Sequence, residues 1–293
     1  MKKLKAIWEL MRLEHGVMIA IAIVVGALIA SKSFPELKIF IITFFMALFL
    51  EASTFTLNDY YDLEIDKKNK RNDRPLVRGD ISPKSALYIF FILFPLGIVF
   101  SYFINLTCFI IALITAIFAI IYDLYLKKLK LLGNFFIAYV MAIPFIFGGA
   151  SVLKSNIIIM DLSPAIIIVA LIAFLAGSGR EIMKDVMDFK GDIKTGVKSF
   201  PKYIGIYKSN ILSAFFYTIA VILSFVPFSI RNFTFYYQNY YYLIFILITD
   251  FMLLFTISQL IFKKRINMKF HRNFTLLALF VGLIAFLLGA YTG

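Results

Sequence analysis

The chain has 293 residues, of which 61% are hydrophobic and only 16% charged, and its mean hydropathy is +0.89. A soluble domain of this length could not bury so much apolar side chain, so the composition indicates a polytopic membrane protein. The single cysteine, Cys108, excludes an internal disulfide and a cysteine-based zinc site. The net charge of +13 could indicate a nucleic-acid partner, but in a membrane protein it reflects basic cytoplasmic loops, and we expect no nucleic acid.

Apolar runs long enough to cross a bilayer as helices occur nine times along the chain. We predict spans at residues 14–31, 37–58, 84–104, 106–124, 133–153, 162–181, 208–228, 239–262 and 273–291. The first run and the lysines before it resemble a signal peptide, but Trp8, Arg12, Glu14 and His15 lie between them. We interpret this lead-in as an interfacial segment before a retained first helix. The sequence therefore predicts an all-α bundle of nine transmembrane helices.

The distribution of basic residues predicts the orientation of these spans. An odd number of spans places the two termini on opposite faces of the membrane. If the N-terminus is cytoplasmic, only four of the 30 basic residues lie in external connections, namely Lys32, Lys38, Lys154 and Arg231. Because cytoplasmic loops of membrane proteins are enriched in lysine and arginine, we expect a multi-pass protein of the cell membrane with a cytoplasmic N-terminus and an external C-terminus.

An acidic cluster follows the second predicted span. Asn58, Asp62 and Asp66 are spaced by four and would stack on one face of a helix, and Asp59 lies three residues before Asp62. Helix ends that face water often carry acids for no further reason. However, so many carboxylates at a membrane edge repel one another unless cations neutralise them. We therefore interpret the cluster as part of a cation-dependent site.

A second cluster on the predicted cytoplasmic side repeats the spacing of the first. Its aspartates, Asp185, Asp188 and Asp192, have the same intervals of three and four as the aspartates at 59, 62 and 66. In each case a proline lies nine residues after the last aspartate. We interpret the two clusters as a weak internal repeat.

Two carboxylate patches with basic residues nearby indicate a polyanion that is bridged by divalent cations. Mg²⁺ fits because it is a hard cation that takes carboxylate, phosphate and water oxygens, and two histidines are too few for a histidine metal site. The bases expected to grip phosphate are Arg71, Arg74, Lys127, Lys128, Arg180 and Lys184. A prenyl diphosphate, polar at one end and apolar at the other, fits a site at a membrane edge. Mg²⁺ would neutralise its leaving diphosphate.

Three residues near the clusters are further candidates. Glu51 lies seven residues before Asn58 on the same helical face, and an acid inside a span usually faces a cavity. It could orient Asn58 or deprotonate an acceptor hydroxyl. Tyr122 and Tyr139 could stabilise a developing carbocation, although most tyrosines in such a protein pack or line the membrane interface.

Several motifs together resemble those of the UbiA superfamily of intramembrane prenyltransferases. Residues 58–66, followed by Arg74-Pro75-Leu76, resemble the first aspartate-rich motif of that superfamily, and residues 185–192 resemble the second. Residues 122–127 resemble its tyrosine–lysine element, and Gly133-Asn134 also matches. The resemblance covers essentially the whole chain.

The resemblance implies one prenyltransferase domain over residues 1–293, with nine helices around a central cavity and Mg²⁺-diphosphate bound between the two motifs. It implies metal contacts from Asn58, Asp62, Asp66, Asp188 and Asp192. Asp59 and Asp185 would bind the metal, hold the metal ligands in place or position the substrate. The residues expected to bind substrate are Arg12, which matches an arginine of the family, and Glu51, Arg71, Arg74, Tyr122, Lys127, Asn134, Tyr139, Arg180 and Lys184.

Within the superfamily, the compact chain resembles the archaeal geranylgeranylglyceryl phosphate geranylgeranyltransferases. This implies transfer of a geranylgeranyl group from its diphosphate to the hydroxyl of a lipid alcohol phosphate, in archaeal ether-lipid synthesis. An aromatic acceptor such as hydroxybenzoate and a heme- or chlorin-type acceptor are alternatives. A membrane transporter is the non-enzymatic alternative, although its intramembrane acids would be expected at midplane. The oligomeric state is not predicted.

Overall fold

A computed structural model of the chain describes residues 2–68, 70–153, 163–233, 235–263 and 265–293. All regular secondary structure in these ranges is helical. The helices are α1 (Lys2–Met11), α2 (Leu13–Ser31), α3 (Leu37–Lys68), α4 (Pro75–Arg78), α5 (Pro83–Tyr102), α6 (Leu106–Leu124), α7 (Lys130–Ser151), α8 (Pro164–Thr195), α9 (Phe200–Ser229), α10 (Tyr240–Phe262) and α11 (Met268–Thr292), with a short 3₁₀ turn at Leu126–Lys128.

Eight of the described helices, α3 and α5 to α11, are long and apolar enough to cross a membrane. The pair α1 and α2, bent by 46°, would be a ninth span if it is counted as one. The prediction of an all-α, polytopic membrane protein is confirmed, and its nine spans are consistent with this count. Lys154 and the first residue of the predicted span 162–181 lie outside the described residues.

Two helices run well beyond the ends of their predicted spans, and the extensions carry the two acidic clusters. The predicted span 37–58 continues as helix to Lys68, and the span 162–181 continues to Thr195. The apolar run marks the membrane and not the helix end, because lysine, which occurs in both extensions, is also a good helix former. The second helix stops only at Gly196, whose φ of 75° is the left-handed conformation typical of a C-cap. Both acidic clusters therefore lie in the last turns of long helices.

The chain forms two compact units. The described residues of the first are 2–21, 35–68, 70–124 and 151–153, in which α3 packs against α5 and α6. Its α1 is amphipathic: Ala6 and Leu10 are buried against Leu63 and Leu76, at the end of α3 and in α4. The helix then breaks at Arg12, which has a positive φ of 48°. This break fixes Arg12 beside the end of α3.

The described residues of the second unit are 22–34, 125–150, 163–233, 235–263 and 265–293. In this unit α8 packs against α9 and α11, and α10 packs against the same two helices. Within this unit the later part of α2 lies directly against α7. A Cβ atom on Gly26 would overlap the carbonyl of Phe145, and one on Gly148 would overlap the carbonyl of Ile23. The backbones of these two helices approach so closely because both contact positions are glycine.

We predict that Gly26→Ala destabilises the protein by about 1–3 kcal/mol, because the added methyl group forces two packed helices apart. Thermal unfolding of the detergent-solubilised protein measures the effect. Gly191→Ala is the matched control: its Cβ meets no atom within 4 Å, and alanine is the better helix former. Equal stability of Gly26→Ala and Gly191→Ala would contradict the described packing.

Candidate active site

The first acidic cluster is organised around Asp59, whose exposed fraction is only 2%. One of its oxygens, Oδ1, accepts hydrogen bonds from Arg12 Nη2 at 2.8 Å and from Arg74 Nη1 at 2.6 Å. Arg12 also stacks over the ring of Phe55, with its guanidinium carbon 4.4 Å from the ring centroid. The buried carboxylate is thus the common counter-ion of two arginines. Both arginines are among the residues predicted to bind substrate.

Local backbone conformation explains how the two arginines reach one carboxylate. Arg12 occupies the break between α1 and α2, so its side chain leaves the helix axis there. Arg74 precedes Pro75 and is extended, with φ −90° and ψ 127°, as expected for a residue before proline. Its Nε lies 3.9 Å from Asp66 Oδ2, so Arg74 links the first and last aspartates of the cluster.

The other predicted residues of the first cluster lie along the same helix, α3. Asn58 donates a hydrogen bond from Nδ2 to Asp123 Oδ1 at 2.7 Å, which ties α3 to the end of α6. Asp62 is half-buried and Asp66 is buried. Glu51 is half-buried two turns earlier, and its carboxylate lies close to Gly16. The structure therefore gathers the first motif on the last turns of α3.

Arg71, predicted to bind phosphate, forms an ion pair at the surface. Its Nε and Nη2 donate to the two carboxylate oxygens of Asp73 at 2.9 Å each. These hydrogen bonds lower the pKa of Asp73 below its ordinary value. Arg78, at the end of α4, connects the same loop to α1, because it donates to the carbonyl oxygens of Asn72 and Asp73 at 3.2 and 3.0 Å and to Glu9 at 2.5 Å. The connection from α3 to α4 is thus braced by arginine–carboxylate pairs.

The second cluster is organised around a residue that the sequence interpretation did not select, Lys130. Its ammonium nitrogen lies 2.8 Å from Asp192 Oδ2, 3.5 Å from Asp185 Oδ1 and 3.9 Å from Asp188 Oδ2. Asn134, one helical turn later on α7, donates from Nδ2 to Asp185 Oδ2 at 2.8 Å. One face of α7 therefore supplies both partners. The spacing of four from the predicted Asn134 is the sequence signal that could have identified Lys130.

Two further predicted bases, Arg180 and Lys184, are held by Glu181 one turn before the second cluster. Lys184 Nζ lies 2.6 and 2.9 Å from the two carboxylate oxygens of Glu181. Arg180 Nη1 lies 3.4 Å from Glu181 Oε1, and its Nη2 donates to the carbonyl of Arg272 at 3.4 Å. Arg180 and Glu181 are both buried. A carboxylate again holds two bases at fixed positions.

Three predicted residues of the substrate set lie at or after the end of α6. Tyr122 is half-buried in its last turn, and Lys127 is half-buried in the 3₁₀ turn that follows. Tyr139 stacks on Phe136 within α7, with ring centroids 6.2 Å apart. Their roles stay predictions. Within the described ranges, no three aspartate, glutamate, histidine or cysteine side chains are arranged to hold a metal ion. Asp59 and Asp192 contact basic residues of the chain itself.

Comparison with known proteins decides the family. Residues 19–276 match the sequence profile of the UbiA prenyltransferase family. The chain belongs to that family. It is therefore a prenyltransferase, and the resemblance inferred from the two aspartate-rich motifs is confirmed.

Relatives of this UbiA-family prenyltransferase cover its whole length. It is 39% identical over 290 residues to digeranylgeranylglyceryl phosphate synthase of Archaeoglobus fulgidus, which covers 98% of this chain and 96% of the relative. A solved structure of digeranylgeranylglyceryl phosphate synthase is 34% identical, with a TM-score of 0.78 over 99% of both chains. A UbiA homologue from Archaeoglobus fulgidus, solved with DMAPP and Mg²⁺, shares the fold at 18% identity, with a TM-score of 0.62 over 96% of this chain and 98% of that one.

We predict that Asp59→Asn destabilises this prenyltransferase by about 3 kcal/mol, because it leaves two partly buried arginines without their shared counter-ion. Asp73→Asn is the control, since it removes an exposed carboxylate, with 61% of its side chain accessible, that pairs closely with Arg71 and lies only 3.9 Å from Arg74 Nε. Such a surface pair contributes about 1 kcal/mol or less. Chemical unfolding in detergent measures both variants, and similar losses in the two would contradict the role given to Asp59.

Proposed function

We propose that the chain transfers a geranylgeranyl group from its diphosphate to the hydroxyl of geranylgeranylglyceryl phosphate, a step of archaeal ether-lipid synthesis. The observation that carries this proposal is the pair of carboxylate clusters at the ends of α3 and α8, each bound to basic side chains of its own unit. The name of the full-length relative from Archaeoglobus fulgidus supports the lipid acceptor.

The donor chemistry of the two clusters suits Mg²⁺. The donors are carboxylate and amide oxygens, which a hard divalent cation prefers, and the lysine and arginines among them show that these acids require positive partners. Asn58, Asp62 and Asp66 of α3 and Asp188 and Asp192 of α8 would hold the metal. When bound, Mg²⁺ would neutralise the leaving diphosphate. The UbiA homologue solved with DMAPP and Mg²⁺ supports this assignment.

The chain's own residues have separate tasks in this proposal. Arg12 and Arg74, fixed by Asp59, present guanidinium groups that suit phosphate oxygens. Arg71, Lys127, Arg180 and Lys184 would add positive charge around the diphosphate, and Asn134 keeps Asp185 in place. Fixed cations of this kind stabilise the charge that develops as the allylic carbon–oxygen bond breaks.

The acceptor hydroxyl oxygen forms the new bond to the allylic carbon as the diphosphate leaves. Glu51 is the candidate group that orients Asn58 or receives the hydroxyl proton. Tyr122 and Tyr139 are candidates to stabilise positive charge on the prenyl carbon. The apolar spans would hold the isoprenoid chain.

We further propose that residues 1–293 act as one prenyltransferase domain that carries both aspartate-rich motifs. The distribution of lysine and arginine supports a cytoplasmic N-terminus, a cytoplasmic active site and an external C-terminus.

We predict that Asp62→Ala lowers the Mg²⁺-dependent release of diphosphate from geranylgeranyl diphosphate by at least about 10³-fold, since it removes a ligand of the ion that stabilises the leaving group. Glu64→Gln is the matched control: Glu64 is two residues away on the same helix, and its side chain is 77% exposed in a surface pair with Lys67. Diphosphate release by the purified protein measures both. Full turnover in Asp62→Ala would contradict the proposed role of the first motif.

A second experiment tests the acceptor. Labelled geranylgeranyl diphosphate, Mg²⁺ and the purified protein are incubated with geranylgeranylglyceryl phosphate, 4-hydroxybenzoate or a heme, and the products are identified by mass. We expect a labelled product only with the lipid phosphate. Prenylation of hydroxybenzoate alone would refute the lipid acceptor and leave the prenyl-transfer reaction intact.

A further inference from the structure

Lys130 places a positive charge inside the second acidic cluster. Its ammonium contacts Asp192 at 2.8 Å and lies within 4 Å of Asp185 and Asp188. It reaches them from a different helix, because Lys130 is the first residue of α7 whereas the aspartates are on α8. About a quarter of its side chain is exposed, so it is not locked in the interior.

A lysine in this place competes with a metal ion for the same oxygens. Two cations that share these carboxylates would repel each other at such short distances. A carboxylate oxygen that accepts a hydrogen bond from the ammonium also offers the metal one lone pair fewer. Because lysine is a point charge on a flexible four-carbon stem, it can move aside without a change in either helix.

We propose that Lys130 is the internal counter-cation of the second cluster. It holds Asp185, Asp188 and Asp192 in place before metal binds, is displaced when Mg²⁺ binds, and then donates to an oxygen of the diphosphate. Lys130 is thus a positioning residue in the metal-free protein and a substrate contact in the loaded one. This inference rests on the proposed function, because it takes the second cluster as a metal–diphosphate site.

If Lys130 is displaced in this way, removing its charge should change the affinities for metal and for diphosphate in opposite directions. Metal alone should bind more tightly, since its competitor is gone. Diphosphate in the presence of metal should bind more weakly, since a charge-assisted hydrogen bond is lost. A residue with a merely structural role would lower both affinities.

The test compares wild type, Lys130→Met, Lys130→Gln and Lys130→Arg. Binding of Mn²⁺ alone is followed by electron paramagnetic resonance, and binding of inorganic diphosphate in excess Mg²⁺ by calorimetry. We expect both uncharged variants to bind Mn²⁺ about tenfold more tightly, the order of effect that one opposite charge has at this range. We expect their diphosphate affinity to fall by about tenfold. Lys130→Arg, which keeps the charge, should have nearly the metal affinity of wild type.

Lys190→Met is the matched control. Lys190 is an exposed lysine on α8 between Asp188 and Asp192, so its loss changes the net charge equally, and we expect Mn²⁺ affinity within about twofold of wild type. The inference is overturned if both uncharged variants bind Mn²⁺ no more tightly than wild type does. If wild type at the same time binds diphosphate in the presence of Mg²⁺, the proposed function is unaffected by that result. If wild type itself binds neither Mn²⁺ nor Mg²⁺-diphosphate, the proposed function fails as well.

Discussion

The structure depends on the neutralisation of buried carboxylates by the chain's own cations. Asp59 and Asp185 each have an exposed fraction of 2%, and a carboxylate so far from water is costly unless it is paired and hydrogen-bonded. The first is paired with two arginines and the second with a lysine and an asparagine. These contacts fix where the polar ends of α3 and α8 lie. They also place positive charge beside the aspartates of both motifs.

Helix length is what brings those charges to a defined place. If α3 and α8 ended with their apolar runs, the aspartates would lie on loops and could not stack at intervals of three and four. The helices continue for ten or more residues beyond that point, so each motif is held on a rigid element. The break at Arg12 and the extended residue Arg74 then supply partners that a continuous helix could not aim at the same carboxylate.

Much of this could be predicted from the sequence, and the reasons for the rest are specific. Hydropathy identified the membrane spans because apolar length is a local property. The acidic motifs were also recognisable, since spacing alone defines a helical face. Lys130 was missed because its importance comes from a contact 62 residues away along the chain, and in the sequence only its spacing of four from Asn134 distinguishes it from the other lysines of a basic loop. Similarly, the sequence marked Arg180 and Lys184 as bases but did not reveal that Glu181 holds both.

The proposed function requires that Mg²⁺-dependent binding of diphosphate needs both aspartate-rich motifs. The most direct measurement is a calorimetric titration of inorganic diphosphate into the purified protein, with Mg²⁺ and with EDTA, for wild type, Asp62→Asn and Asp188→Asn. We expect one diphosphate bound per chain, only with Mg²⁺, and loss of that binding in either variant. The proposed function would be contradicted if wild type bound diphosphate in EDTA as tightly as in Mg²⁺. It would also be contradicted if either variant kept full binding.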